Sequence, residues 1–267
     1  MAYLKFSIKL LLLVIVFSAC QNKAANSSSK KQLVSVDTSV SVQQKQVQAT
    51  QPVAAISAST PTDSMIDGHV LIPFAYRVWD DNHVSKVINS NWMELHRKNG
   101  KYHVAKAQYS IVYAKEEPCS GLPTETINPK NDVLVFCNIP AIQAGAVDSI
   151  AFPSKIISPK KVFEFNYKDD RYKLVASGIE FYKDENQDNP NTKYTLKLFV
   201  NGQYIRTLID QSAYHDTATE LEFIGDLDRD GKLDFVIASP RDYEESRTII
   251  ILSTQQYPFV GTVQFDC

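Results

Sequence analysis

Residues 223–239 read FIGDLDRDGKLDFVIAS, and the fold class turns on this stretch. Asp226, Asp228 and Asp230 alternate, Gly231 follows directly, and Asp234 comes three residues later. As the chain curls, the alternating aspartates turn toward one centre while Leu227 and Arg229 turn away. Three carboxylates held this close repel one another, and a divalent cation at about 2.3–2.6 Å from their oxygens removes that cost. Gly231 supplies the sharp turn, the backbone carbonyl of Lys232 faces the ion, and Asp234 closes the shell. The expected metal ligands are therefore Asp226, Asp228, Asp230, Lys232 and Asp234, with Ca²⁺ as the ion. Its role is expected to be structural, because a shell filled by four side chains and a carbonyl leaves little room for a reacting water. Leu233 is expected to point into the core and pin the loop to a sheet.

Apolar, β-leaning residues on both sides separate this loop from an EF-hand. At the twelfth position, where an EF-hand carries its bidentate Glu, stands Ile237, and residues 234–238 (DFVIA) read as a strand rather than a helix. Residues 225–235 instead resemble the β-hairpin calcium loops of FG-GAP (integrin-α-like) and VCBS repeats. Those families repeat the unit around a β-propeller. This chain holds one good copy; residues 184–188 (DENQD) begin like a second, but Asn189-Pro190 stands where the glycine is needed. The resemblance thus implies the calcium ligands and not a full propeller.

Outward from the loop, the pattern is one of short strands. Asn99-Gly100 and Asn201-Gly202 are two-residue hairpin signals, each between arms with near-alternating apolar residues: 92–98 with 101–114, and 194–200 with 203–209. Residues 162–167 and 171–177 flank a third tight turn, Lys168-Asp169-Asp170. Further strands are expected at 133–137, 221–224, 235–239, 248–253 and 259–265, with one short helix or turn at 84–91. Residues 69–79 are apolar, but Pro73 argues against a central strand there. Residues 115–132 read as a long loop. The expected class is all-β, or mainly β with a minor helix, built from antiparallel sheets as a sandwich. The globular part, 63–267, is compatible with one body or with two subdomains, 63–155 and 160–267, the seam marked by Pro153 and Pro159.

The start of the chain gives the compartment. Lys5 and Lys9 precede an apolar run at 10–17 that is too short to span a bilayer, and Ser18-Ala19 leads to Cys20. Residues 17–20 (FSAC) resemble the lipobox of bacterial lipoproteins, which implies a signal peptide at 1–19, cleavage before Cys20 and acylation of that cysteine. Several acyl chains anchor firmly, at about 0.8 kcal/mol per buried CH₂. Gln21, rather than Asp, implies by the same resemblance the outer membrane, on its periplasmic or its exposed side. An ordinary secretory peptide cut nearby is the alternative. Residues 20–62 contain no aromatic residue and no glycine, and Ser, Gln, Thr, Ala and Val dominate. So few bulky side chains do not offset ordering entropy, and the segment reads as a flexible tether.

The chain of 267 residues is 44% hydrophobic, enough for a sizeable core, and its formal charge of -2 gives no reason to expect nucleic acid as a partner. With Cys20 acylated, Cys119, Cys137 and Cys267 remain. In an oxidising compartment Cys119–Cys137 is the natural disulfide, worth about 3 kcal/mol for a loop of that length, although three thiols allow three bridges. No G-x-S-x-G, H-E-x-x-H, P-loop or G-x-G-x-x-G motif is present, so no catalytic residue is assigned. His96 and His103 are expected to pair across the Asn99-Gly100 hairpin. Trp79, Trp92, Tyr172, Tyr182 and Tyr204 fit either a sugar-binding face or core packing. The leading expectation is a non-enzymatic envelope lipoprotein, joined to the membrane by its lipid and to a protein or glycan by its β domain. The alternative is a calcium-dependent hydrolase of glycan or peptidoglycan whose acidic pair, drawn from clusters such as Asp80-Asp81 or Asp242/Glu244/Glu245, only the fold assembles. A third reading, a secreted inhibitor or partner of another envelope protein, would show an exposed apolar patch.

Overall fold

The computed structural model describes residues 66–118, 120–178, 193–212, 214 and 217–264. The leader, Cys20, the tether, Cys119, residues 184–188 and Cys267 lie outside them. In chain order the first half contains β1 (Val70–Leu71), β2 (Ala75–Arg77), α1 (Val84–Val87), β3 (Met93–Lys98), β4 (Lys101–Lys106), β5 (Tyr109–Ala114), β6 (Thr124–Pro129), β7 (Asp132–Cys137) and β8 (Gly145–Val147). The second half contains β9 (Val162–Tyr167), β10 (Asp170–Gly178), β11 (Tyr194–Val200), β12 (Gln203–Gln211), β13 (Glu220–Gly225), β14 (Asp234–Ala238), β15 (Glu245–Ile251) and β16 (Phe259–Gln264). The protein is all-β with one four-residue helix among the described residues, as expected, and all its strand pairs are antiparallel.

Among the described residues these strands form four sheets, and none closes into a barrel. Sheet I has the order β1-β7-β3-β4-β8, sheet II β2-β6-β5, sheet III β12-β11-β10-β9 and sheet IV β13-β14-β15-β16. Both Asn-Gly turns form as expected. Asn99 (φ 52) with Gly100 (φ 75), and Asn201 (φ 51) with Gly202 (φ 79), take the double left-handed conformation that matches strand twist.

Three apolar cores lie between the sheets. Phe235, Ile237, Ile249 and Ile251 of sheet IV pack with Tyr172, Leu174, Leu196 and Leu208 of sheet III. Val236 and Ile250, on the other face of sheet IV, pack with Leu95, Val104 and Val135 of sheet I. Leu71 and Phe136 of sheet I pack with Tyr76 and Ile127 of sheet II and with Trp92, whose ring N–H donates to the Val87 carbonyl at 3.1 Å. The layers therefore run II, I, IV, III. Strand side chains alternate between faces, so a middle layer must be apolar on both. That is why DFVIA and the TIII run of β15 carry unbroken apolar residues. Each such side chain contributes about 1.5–3 kcal/mol on burial.

Bulges correct the phase where alternation would fail. Leu221 and Phe223 are two apart yet lie in different cores, and the β13–β14 register slips between them. The β3–β7 register slips likewise between Leu95 and His96, leaving Leu134 over.

Three sequence expectations need correction. The arm 101–114 is two strands in two sheets, β4 and β5. The chain turns the corner at Ala107-Gln108, held by Ala107 N–H to the Trp92 carbonyl (3.0 Å) and Gln108 N–H to Glu94 Oε2 (2.8 Å). The apolar phase does slip there, between Val104 and Ala105. The supposed loop 115–132 contains β6, whose buried positions include the polar Thr124 and Glu125. β8 was not foreseen at all. Pro73 separates β1 and β2, which join different sheets.

Candidate metal centre

The aspartate loop connects β13 to β14 at one end of sheet IV. Two apolar residues fix it there from opposite sides. Leu227 is buried in the core facing sheet I, and Leu233, as expected, in the core facing sheet III. Gly225 enters the loop where a Cβ would stand 2.4 Å from the Asp148 carbonyl oxygen, so no larger residue fits. Gly231 takes φ 89, a left-handed turn that a Cβ disfavours. Ile237, the residue where an EF-hand has its Glu, is fully buried in β14.

The structure brings Asp226, Asp228 and Asp234 together, with a carboxylate oxygen of each within 4.8 Å of the others. Asp234 is fully buried and accepts three main-chain hydrogen bonds: Ser253 N–H on Oδ1 (2.7 Å), and Leu227 N–H (2.7 Å) and Asp228 N–H (3.3 Å) on Oδ2. Asp228 accepts from Asp230 N–H (3.2 Å) and the Thr254 hydroxyl (2.5 Å). Asp226 accepts from Gly231 N–H at 3.0 Å on Oδ2, with Lys168 Nζ 3.7 Å away. Its Oδ1 is buried and has no hydrogen-bond partner.

Asp230 stands apart from this group. It is exposed, with Oδ1 accepting from Lys232 N–H (2.8 Å) and Oδ2 from the Ser253 hydroxyl (2.6 Å). Lys232 is exposed as well. Of the four expected carboxylate ligands, three converge and Asp230 lies outside their group.

Burial pushes the Asp234 carboxyl up to about 7, and the neighbouring Asp228 adds to this, against the lowering pull of the three N–H donors. Taken without an ion, the loop thus holds a carboxyl that resists ionising beside a buried carboxylate oxygen lacking a donor. A hard cation answers both. The donor set is oxygen only, with no His or Cys, which suits Ca²⁺ or Mg²⁺ rather than zinc. The orphaned Asp226 Oδ1 marks where such an ion would bind.

The loop also reaches outside its own hairpin. Gln143, between β7 and β8, donates from its side chain to the Asp228 carbonyl (3.0 Å) and from its main chain to the Leu227 carbonyl (3.3 Å). Arg229 (φ 63) turns away from the centre and donates to the Ala144 carbonyl, its guanidinium lying over Gly145. Lys168, in the β9–β10 turn of sheet III, donates to the Gly231 carbonyl (3.2 Å). Gln143, Lys168, Ser253 and Thr254 carry no motif, and sequence reasoning passed over them.

The other candidate residues scatter. His96 and His103 are register partners with rings 5.8 Å apart, the expected cross-strand pair. Glu94, fully buried, accepts from Asn131 Nδ2 and Gln108 N–H and so ties β3 to the loops beside it. Asp81 pairs with Lys86, and Glu245 with Arg241. Trp92 and Tyr172 are core residues while Trp79 and Tyr204 are partly exposed, so these four form no single face; Tyr182 lies outside the described residues. Cys137 is a free, buried thiol, pushed up to about 12 by burial, and Cys119, its expected bridge partner, lies outside the described residues.

No protein-family model, curated protein or solved structure matches the chain.

Proposed function

We propose that this is a lipid-anchored protein of the bacterial cell envelope whose β region is stiffened by Ca²⁺ and serves in binding or scaffolding rather than catalysis. The observation that carries the calcium part is the convergence of Asp226, Asp228 and Asp234 around a buried oxygen with no donor. The ion is structural in this reading, because the loop is held by Leu227, Leu233 and donors from sheets I and III and so fastens three layers. Support for binding over hydrolysis comes from the cavity beside the loop, whose lining is mostly apolar and holds one carboxylate, Asp170, rather than a pair. The anchor rests on the lipobox-like FSAC at 17–20 and the tether that follows.

Calorimetric titration of the full chain with CaCl₂ tests the ion. Saturable binding below about 1 mM is expected, as for extracellular calcium modules, with a raised melting temperature that Asp228→Ala abolishes. Heat-free titration and an unchanged melting temperature in Asp228→Ala would defeat the reading. For the anchor, Cys20→Ser should move the protein from the membrane fraction to the soluble one.

A further inference from the structure

Sheets III and IV border a partly open cavity of about 210 Å³ next to the aspartate loop. Tyr172, Leu198 and Leu208 wall it from one side, and Leu233, Phe235 and Ile251 from the other. Asp170, Lys232 and Ser253 supply its polar edge. Arg206 lines the same space and is the unusual group.

Arg206 is only 8% exposed. Its guanidinium donates three hydrogen bonds, all to main-chain carbonyls: Nη1 to Leu252 (3.3 Å) and Gln255 (2.9 Å), Nη2 to Gln256 (3.0 Å). Its Nε is buried with no partner. Among the described residues no carboxylate pairs with it. A buried cation balanced only by carbonyl dipoles is costly, and a bound anion would lower that cost. A bulge puts it there. Leu198 is paired with Arg206 and Phe199 with Tyr204, so Ile205 is left over, and Ile205 and Arg206 both reach the cavity though adjacent in sequence. Bulges commonly re-aim side chains beside binding sites.

The geometry points to a binding site for a small amphipathic carboxylate, its apolar body between the two sheets and its carboxylate drawn to the Arg206 guanidinium at the cavity wall. A cavity of about 150 Å³ holds benzene, so this one takes a body of about six to eight carbon atoms. The inference rests on the binding role proposed above only in giving that role a ligand, and it needs neither the ion nor the anchor.

The test is titration of the full chain with hexanoate, with hexan-1-ol as the uncharged counterpart. Hexanoate is expected to bind saturably at about 10 μM to 1 mM, within what eight heavy atoms can supply. Arg206→Met should weaken hexanoate at least tenfold and leave hexan-1-ol within twofold. Ile205→Trp, a change at a position 44% exposed and therefore safe for folding, should block both ligands, and it decides the matter if Arg206→Met does not fold. No saturable hexanoate binding by the parent chain overturns the site, as does binding that both folded variants retain. A CaCl₂ titration in the same protein separates the two readings: calcium binding without hexanoate binding removes this inference alone.

Discussion

Single atoms carry most of the chemistry here. Asp226 Oδ1 lies buried without a donor while every other carboxylate oxygen at the centre is met by an N–H, a hydroxyl or Lys168. Glu125 shows the opposite solution to the same problem. Burial alone would raise its pKa, but Ser85 N–H (2.9 Å), His83 Nδ1 (3.0 Å) and the Ser85 hydroxyl (2.8 Å) together hold it below the usual carboxylate value. A folded-state pKa below the unfolded one adds stability that is present above the unfolded value, about 4.5, and is lost as pH falls through the folded one. Glu125→Gln is therefore expected to cost about 1–3 kcal/mol at pH 7, and the gap from the parent should close on acidification below about pH 4. Denaturant melts of both proteins at pH 7 and pH 3.5 measure it; a gap that does not depend on pH means that shape and not charge holds α1 to β6.

At the scale of elements, the loop works because two leucines six residues apart enter different cores. Leu233→Ala is expected to lose about 2–4 kcal/mol in unfolding melts run in chelator, the usual cost of a cavity at a buried leucine. It should also weaken Ca²⁺ binding severalfold, since the neighbouring Asp234 loses its support. Loss of stability with calcium affinity intact would show that the loop holds its shape without the core. The pinning by Leu233 was legible in the sequence, as were the four aspartates and both Asn-Gly turns, because each depends on residues a few positions apart; the second pin, Leu227, was not. β6 and β8 were not. TETINP and GAV have little strand character of their own, and they pair because β5, β2 and β4 lie beside them. Gln143 and Lys168 escaped notice for the same reason: they meet the loop from 85 and 63 residues away. That Asp230 falls outside the group of three was equally hidden; its Oδ2 accepts instead from the Ser253 hydroxyl.

Among the described residues the loop touches sheets I, III and IV but makes no contact in the core of sheet II, which is built from Tyr76, Ile127, Trp92 and their neighbours. Local stability in a layered protein follows the contacts of each layer. A ligand that binds only the native loop adds RT ln(1 + [L]/Kd), about 2.7 kcal/mol at a hundredfold excess over Kd. That gain should reach the layers the loop fastens and stop short of the fourth. Amide hydrogen exchange with and without Ca²⁺ is thus expected to slow in β13 and β14, in the 143–145 segment and in the β9–β10 turn. The amides of β5 and β6 should exchange at unchanged rates. Equal slowing in β5 and β6 would mean that all four layers open as one unit, so that the ion raises global stability instead of fastening three layers locally. If only the loop itself slowed, the links from Gln143 and Lys168 would carry no coupling. The layer order II, I, IV, III puts the aspartate loop at the end of an inner sheet, and this graded pattern of protection is what an ion bound there requires.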